Sequence, residues 1–223
     1  NVIKWQEKGW IDYTLPQLYW HIGHPLVDFK ILADWWKNHA YGRGLYIGHG
    51  VYKSNLASTV PEWTLPGELP RQIDLLREIP EIGGSEFYSS KHFKQNLQGF
   101  QDSLKLRLYK SPAIVPPMPW IDNQPPQPVS NFKKRWWKGI KWKITEVENE
   151  MDKPWRYVIY LNELGAQFNS ENPEFIFTII PAKDDKFKFS RINRKKKKYE
   201  VRISVLDRLN NESKISDPVI LKL

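Results

Sequence analysis

The chain has 223 residues, 40% of them apolar and 14% aromatic, enough for one large domain or two ordinary ones and too much for a disordered chain. It has no cysteine, which excludes disulfides, thiolate metal sites and a cysteine nucleophile, and no apolar run approaches the ~18 residues of a membrane helix. The net charge of +9 is uneven: residues 1–120 carry 13 Lys and Arg against 11 Asp and Glu, and residues 121–223 carry 21 against 14.

In chain order, the first element is an apolar strand over Tyr13–Tyr19 that ends in Gln17, Tyr19, Trp20, His21 and His24. A helix runs from Asp28 to about His39, because Phe29, Leu32, Ala33 and Trp36 recur at the spacing of one helical face. Leu45–Val51 is a second strand, and Arg71–Ile79 a second helix with Ile73, Leu76 and Ile79 inward. Gly83-Gly84 then read as a turn into a third strand, Ser85–Ser90. Leu97, Phe100, Leu104 and Leu108 mark a third helix. Strands alternating with helices at this spacing predict parallel pairing through right-handed crossovers.

Seven prolines fall between positions 112 and 129, where neither a helix nor a central strand can form. Beyond them the apolar period becomes two, at Ile140–Ile144, Arg156–Tyr160, Phe175–Ile179, Phe187–Phe189, Tyr199–Val205 and Val219–Leu223. Short strands without a helical stretch predict a β-sandwich. Two basic runs, Lys133–Arg135 and Arg194–Lys198, supply much of the charge in this half and suit either a polyanion-binding face or solvated turns.

Both halves resemble known families. Pro125–Val129, the inward Trp142 and the stretch Lys198–Ser213, with its Asp207…Asn211-Glu212-Ser213 turn, resemble a fibronectin type III module. The resemblance makes Tyr199 the candidate corner tyrosine. The first half resembles the C-terminal third of the glycosyl-hydrolase-like ten family of bacterial exported proteins and lipoproteins. The matching residues are Trp10–Trp20, Asp34–Trp36, Gly44–His49, Pro70–Ile73, Gly84–Ser90 and Pro116–Trp120. That resemblance implies the last three βα units of a (β/α) barrel, and a closed barrel needs roughly 250 residues. The expected organisation is therefore a partial barrel over 1–122 and a fibronectin type III-like β-sandwich over 123–223.

Chemistry in such barrels sits at the C-terminal ends of the strands. This rule picks out Gln17, Tyr19 and Trp20 after the first strand, His49 and Tyr52 after the second, and Trp120 after the last helix as substrate-binding residues. Amide, imidazole and phenol groups hydrogen-bond sugar hydroxyls, and indoles stack on pyranose faces. Each also has a plain structural use, in packing or as a satisfied core histidine.

Glycoside hydrolysis needs two carboxylates flanking the bond. Glu86 is the sole acid inside a predicted strand but falls near its start, and Asp12 precedes its strand. Glu62 and Glu68 lie in a loop, and Asp28 reads as a helix cap. The catalytic pair is thus expected upstream of Asn1, and the chain alone is expected to be inactive. His21 and His24 have a spacing that suits two metal ligands, but no third ligand joins them, so neither metal nor cofactor is expected.

The leading expectation is the C-terminal fragment of an exported bacterial glycoside hydrolase, located in the periplasm or at the cell surface or held as a lipoprotein. Its partners would be a polysaccharide or oligosaccharide rather than nucleic acid. The bare sheet face would be covered by the missing N-terminal barrel part or by oligomerisation. The alternative is a non-catalytic carbohydrate- or polyanion-binding adhesion protein.

Overall fold

The computed structural model describes residues 1–136, 138–144, 147–189 and 197–223. Of the basic run Arg194–Lys198, only Lys197 and Lys198 are among them. The chain divides into two compact units, Asn1–Lys110 and Ser111–Leu223. Residues 111–122, assigned from the sequence to the first half, therefore group with the second. Ile114 explains part of this, since it packs on a cluster that includes Val158, Tyr160 and Leu206.

In the first unit a short helix α1 (Val2–Glu7) precedes strand β1 (Tyr13–Thr14), helix α2 (Phe29–Lys37) and strand β2 (Gly44–Gly50). Helix α3 (Glu68–Arg77), strand β3 (Ile82–Tyr88) and the short helices α4 (Ser90–Lys94) and α5 (Phe100–Ser103) complete it. The three strands form one parallel sheet in the order β1-β2-β3. β1 is shorter than its apolar run suggests, because Pro16 interrupts it. Pairing resumes only at a bridge from Gln17 to Gly48, flanked by Leu18 N–H to Gly48 O at 3.0 Å.

One face of this sheet is covered. Leu45 and Ile47 of β2 pack with Phe29 and Ala33 of α2 and with Leu76 of α3. Ile73 of α3 joins Val51, Trp63, Phe100 and Leu108 in a second cluster that Phe87 borders. Side chains alternate along a strand, so Tyr46, Gly48 and Gly50 of β2 lie on the other face.

Helix α2 starts where it does because Asp28 caps it. The carboxylate accepts from Ile31 N–H at 3.0 Å and from Gly23 N–H, tying the preceding loop to the first turn. Asp28→Ala is expected to cost about 1 kcal/mol, read as a lowered urea midpoint with the far-ultraviolet spectrum unchanged. The third helix is shorter than its apolar spacing suggests. Asn96, Gln98 and Gly99 all take positive φ (45°, 49° and 73°), so α5 cannot begin before Phe100, and it widens into a π-type turn over Leu104–Leu108.

In the second unit the strands are β4 (Ser130–Arg135), β5 (Gly139–Lys143), β6 (Arg156–Glu163), β7 (Ile176–Pro181), β8 (Lys186–Lys188), β9 (Lys198–Leu206) and β10 (Val219–Lys222). They form two antiparallel sheets, β4-β5-β8 and β10-β9-β6-β7. Ile140 and Trp142 of the first sheet share a buried core with Tyr157, Ile159, Val201 and Ile203 of the second. The turn after β9 is fastened by its own side chains. Asp207 accepts from Leu209 and Asn211 N–H at 2.8 and 2.9 Å, and Ser213 Oγ accepts from Val205 N–H at 3.0 Å. Glu212 accepts from the hydroxyls of Tyr160 and Ser204, each at 2.5 Å.

Candidate functional site

Three tyrosines meet at the C-terminal ends of the three parallel strands. Tyr19 follows β1, Tyr52 lies in the tight turn Val51–Lys53 that ends β2, and Tyr88 is the last residue of β3. The Tyr19 ring stacks near Tyr88, with centroids 6.1 Å apart, and meets Tyr52 edge-on at 6.0 Å. Tyr52 and Tyr88 close the triangle at 6.2 Å. Parallel strands start each connection on the same edge of the sheet, which is why residues 33 and 36 positions apart converge here.

Glu86 is the carboxylate of this cluster. β3 begins at Ile82, so Glu86 is the fifth of its seven residues and lies towards the C-terminal end. The sequence alone predicts it near the start, with Gly83-Gly84 as a turn. Instead both glycines extend the strand, and a Cβ on Gly84 would stand 3.4 Å from the Tyr46 ring. Gly84, Glu86 and Tyr88 then share one face. A Cβ on Gly48 would lie 3.0 Å from Glu86 Oε2, 3.3 Å from Leu15 and 3.4 Å from the Gln17 backbone. Glycine at that position lets the carboxylate lie across β2.

Burial first, then the negative charge of Glu86, holds the Tyr19 phenol above its usual pKa. Tyr19 therefore remains a neutral hydrogen-bond donor. Its hydroxyl oxygen is buried and has no hydrogen-bond partner among the described residues.

His49 requires a correction. It is fully buried, with its ring against Phe29 and Phe87 at 5.6 and 5.4 Å, and both nitrogens are occupied. Gln72 Oε1 can only accept, so His49 Nδ1–H donates to it at 2.9 Å, and Nε2 accepts from Ser85 Oγ–H at 3.0 Å. His49 shares a face with Leu45 and Ile47, the helix side, and presents nothing to a ligand. Burial pushes its pKa down from 6.5 to about 4, against the opposing pull of Gln72.

The histidine instead starts a chain that fixes the loop after β1. Gln72 Nε2 donates to Trp20 O at 3.0 Å and to Glu68 Oε1 at 2.9 Å. The buried Glu68 carboxylate also accepts from Ile22 N–H at 2.7 Å and from Arg71 at 2.5 Å. Tyr19 thus sits directly before a backbone carbonyl anchored to α3.

Gln17 and Trp20 are exposed on the same β1 connection as Tyr19. Trp120 belongs to the second unit, in the turn closed by Ile121 N–H to Met118 O at 2.9 Å. Glu62 is 3.8 Å from His21 Nε2, and the rings of His21 and His24 are 5.1 Å apart. Among the described residues no group of three or more His, Cys, Asp or Glu could hold a metal ion.

At this edge of the parallel sheet three aromatic rings, a phenol donor and a carboxylate lie together. No family model matches the chain. Over 222 residues it is 34% identical to Glycosyl hydrolase YngK of Bacillus subtilis (strain 168), covering 95% of this chain and 41% of that protein. Over 98 residues it is 33% identical to Glycosyl hydrolase DigH of Escherichia coli (strain K12), covering 41% of this chain and 22% of that one. The chain spans about two fifths of the length of the first relative, and in sequence it is glycosyl-hydrolase-like. Among solved structures, the spore cortex lytic enzyme SleM of Clostridium perfringens aligns at 14% identity and a TM-score of 0.31, covering 87% of this chain and 75% of that one. A likeness that loose carries no argument about the fold.

Proposed function

We propose that the chain serves a glycoside hydrolase, with the C-terminal edge of β1-β2-β3 as part of its sugar-binding mouth. The observation that carries this reading is the cluster of Tyr19, Tyr52, Tyr88 and Glu86 at the ends of three successive parallel strands. Tyr52 and Tyr88, 39% and 51% exposed, offer ring faces and hydroxyls to a sugar. Glu86 is one of the two carboxylates such a reaction uses. The names of the relatives support carbohydrate as the substrate class.

The same reading takes the first unit as an arc of a (β/α) barrel. The parallel order, the helices on one face and the cluster at the strand ends support it. It takes the second unit as a fibronectin type III-like module, supported by the three-plus-four strand order and the buried Trp142. An exported location goes with this reading.

Glycan hydrolysis by the intact protein tests it. Tyr52→Ala and Tyr88→Ala should each raise KM by roughly tenfold, the value of a lost ring contact. Unchanged kinetics in both variants would remove the cluster from the site.

A further inference from the structure

The outward face of the β4-β5-β8 sheet carries cations in register. Ile140 and Trp142 of β5 enter the core, so Lys141 and Lys143, which alternate with them, face solvent. Directly opposite Lys141 stand Lys133 of β4 on one side and Lys186 of β8 on the other. The neighbouring row reads Arg135, Gly139, Lys188. All six cations are exposed, and none has an ion pair among the described residues.

Like charges set directly opposite one another weaken strand pairing. Three lysines abreast on a small sheet are therefore a cost that folding does not explain. Gly139 leaves the second row open at its centre. A Cβ there would meet Phe187 O at 3.2 Å, so the position stays bare. Arg135, Trp136 and Lys188 close around a recess of about 210 Å³. Trp136 is 84% exposed and also borders a recess lined by Lys134, Lys138 and Lys222.

We propose that this face binds an anionic polysaccharide, with its carboxylate or sulfate groups on the cation rows and one sugar ring against Trp136. Positions within a row are ~4.8 Å apart across the strands, and the rows are ~6.8 Å apart along them, a grid suited to anionic groups carried on successive residues. Five of the six cations are lysines, point charges without the fork that arginine offers to phosphate. Single-stranded nucleic acid needs successive stacking platforms, and the rows themselves carry no ring. The sugar backbone is borrowed from the proposed function; the charge grid stands without it.

The test is binding by the intact protein of dextran sulfate and polygalacturonate, with dextran, inorganic polyphosphate and single-stranded DNA as comparisons. At least one of the two anionic glycans should bind, dextran should not, and affinity should fall as salt rises. Lys141→Glu combined with Lys186→Glu should weaken binding by roughly tenfold or more, and the milder Lys141→Gln should give an intermediate loss. Trp136→Ala should weaken glycan binding and leave polyphosphate binding alone. Glu86→Gln should change none of this, so hydrolysis and capture fail independently. Capture that survives charge reversal, or polyphosphate or DNA bound as tightly as the better glycan, would overturn the proposal.

Discussion

Glu86→Gln is expected to lower kcat for glycan hydrolysis by the intact protein by roughly 10²- to 10⁴-fold, the range for removing a positioned acid or base. KM should change little, because the amide keeps the shape of the carboxylate and the tyrosines beside it are untouched. The expectation rests on placement. Glu86 lies in the C-terminal half of β3, beside Tyr19, with its oxygen over a position where only glycine fits without displacement. The fold should tolerate the change, since no hydrogen bond from Glu86 ties the sheet together among the described residues. A variant with native circular dichroism and undiminished kcat would show that the carboxylate takes no part in the chemistry.

The second large effect is on acid stability. His49 is held neutral in the folded chain, with its pKa lowered from 6.5 to about 4. The unfolded chain takes up a proton below pH 6.5 that the folded chain refuses until about pH 4. Stability from this group is complete above pH 6.5 and is lost progressively as pH falls to about 4. The full loss is roughly 3 kcal/mol. Urea unfolding at several pH values should show this slope, and His49→Gln, which retains a donor and an acceptor but does not titrate, should lack it. Equal slopes in the two proteins would mean that His49 is not the group refusing the proton.

Much of this architecture was legible in the sequence for physical reasons. The spacing of Phe29, Leu32, Ala33 and Trp36 leaves a helix little alternative, and Asp28 is its cap, as expected. The period-two stretch Tyr199–Val205 lies within β9, with Tyr199, Val201, Ile203 and Val205 buried. The site was harder to read. Glycine is ambiguous between a turn and a strand on which another side chain rests, and reading Gly83-Gly84 as a turn moved Glu86 to the wrong end of its strand. It also hid Tyr88, which falls mid-strand in Ser85–Ser90 but is the last residue of β3, where it meets Tyr19 and Tyr52. His49 carried a signal that went unused: with Leu45 and Ile47 inward, period two sends His49 inward with them. The convergence of Tyr19 and Tyr52 depends on strand order and register, which local pattern does not contain.

The charged sheet of the second unit also bears on self-association. Among the described residues, β4 and β8 are the edges of that sheet, and an open edge is a template for another copy of the same chain. Both edges carry outward cations, Lys133 and Arg135 on one, Lys186 and Lys188 on the other. Two copies approaching edge to edge would bring like charges together before a single backbone bond could form. That accounts for the outer strands but not for Lys141 and Lys143, which occupy the middle strand and guard no edge.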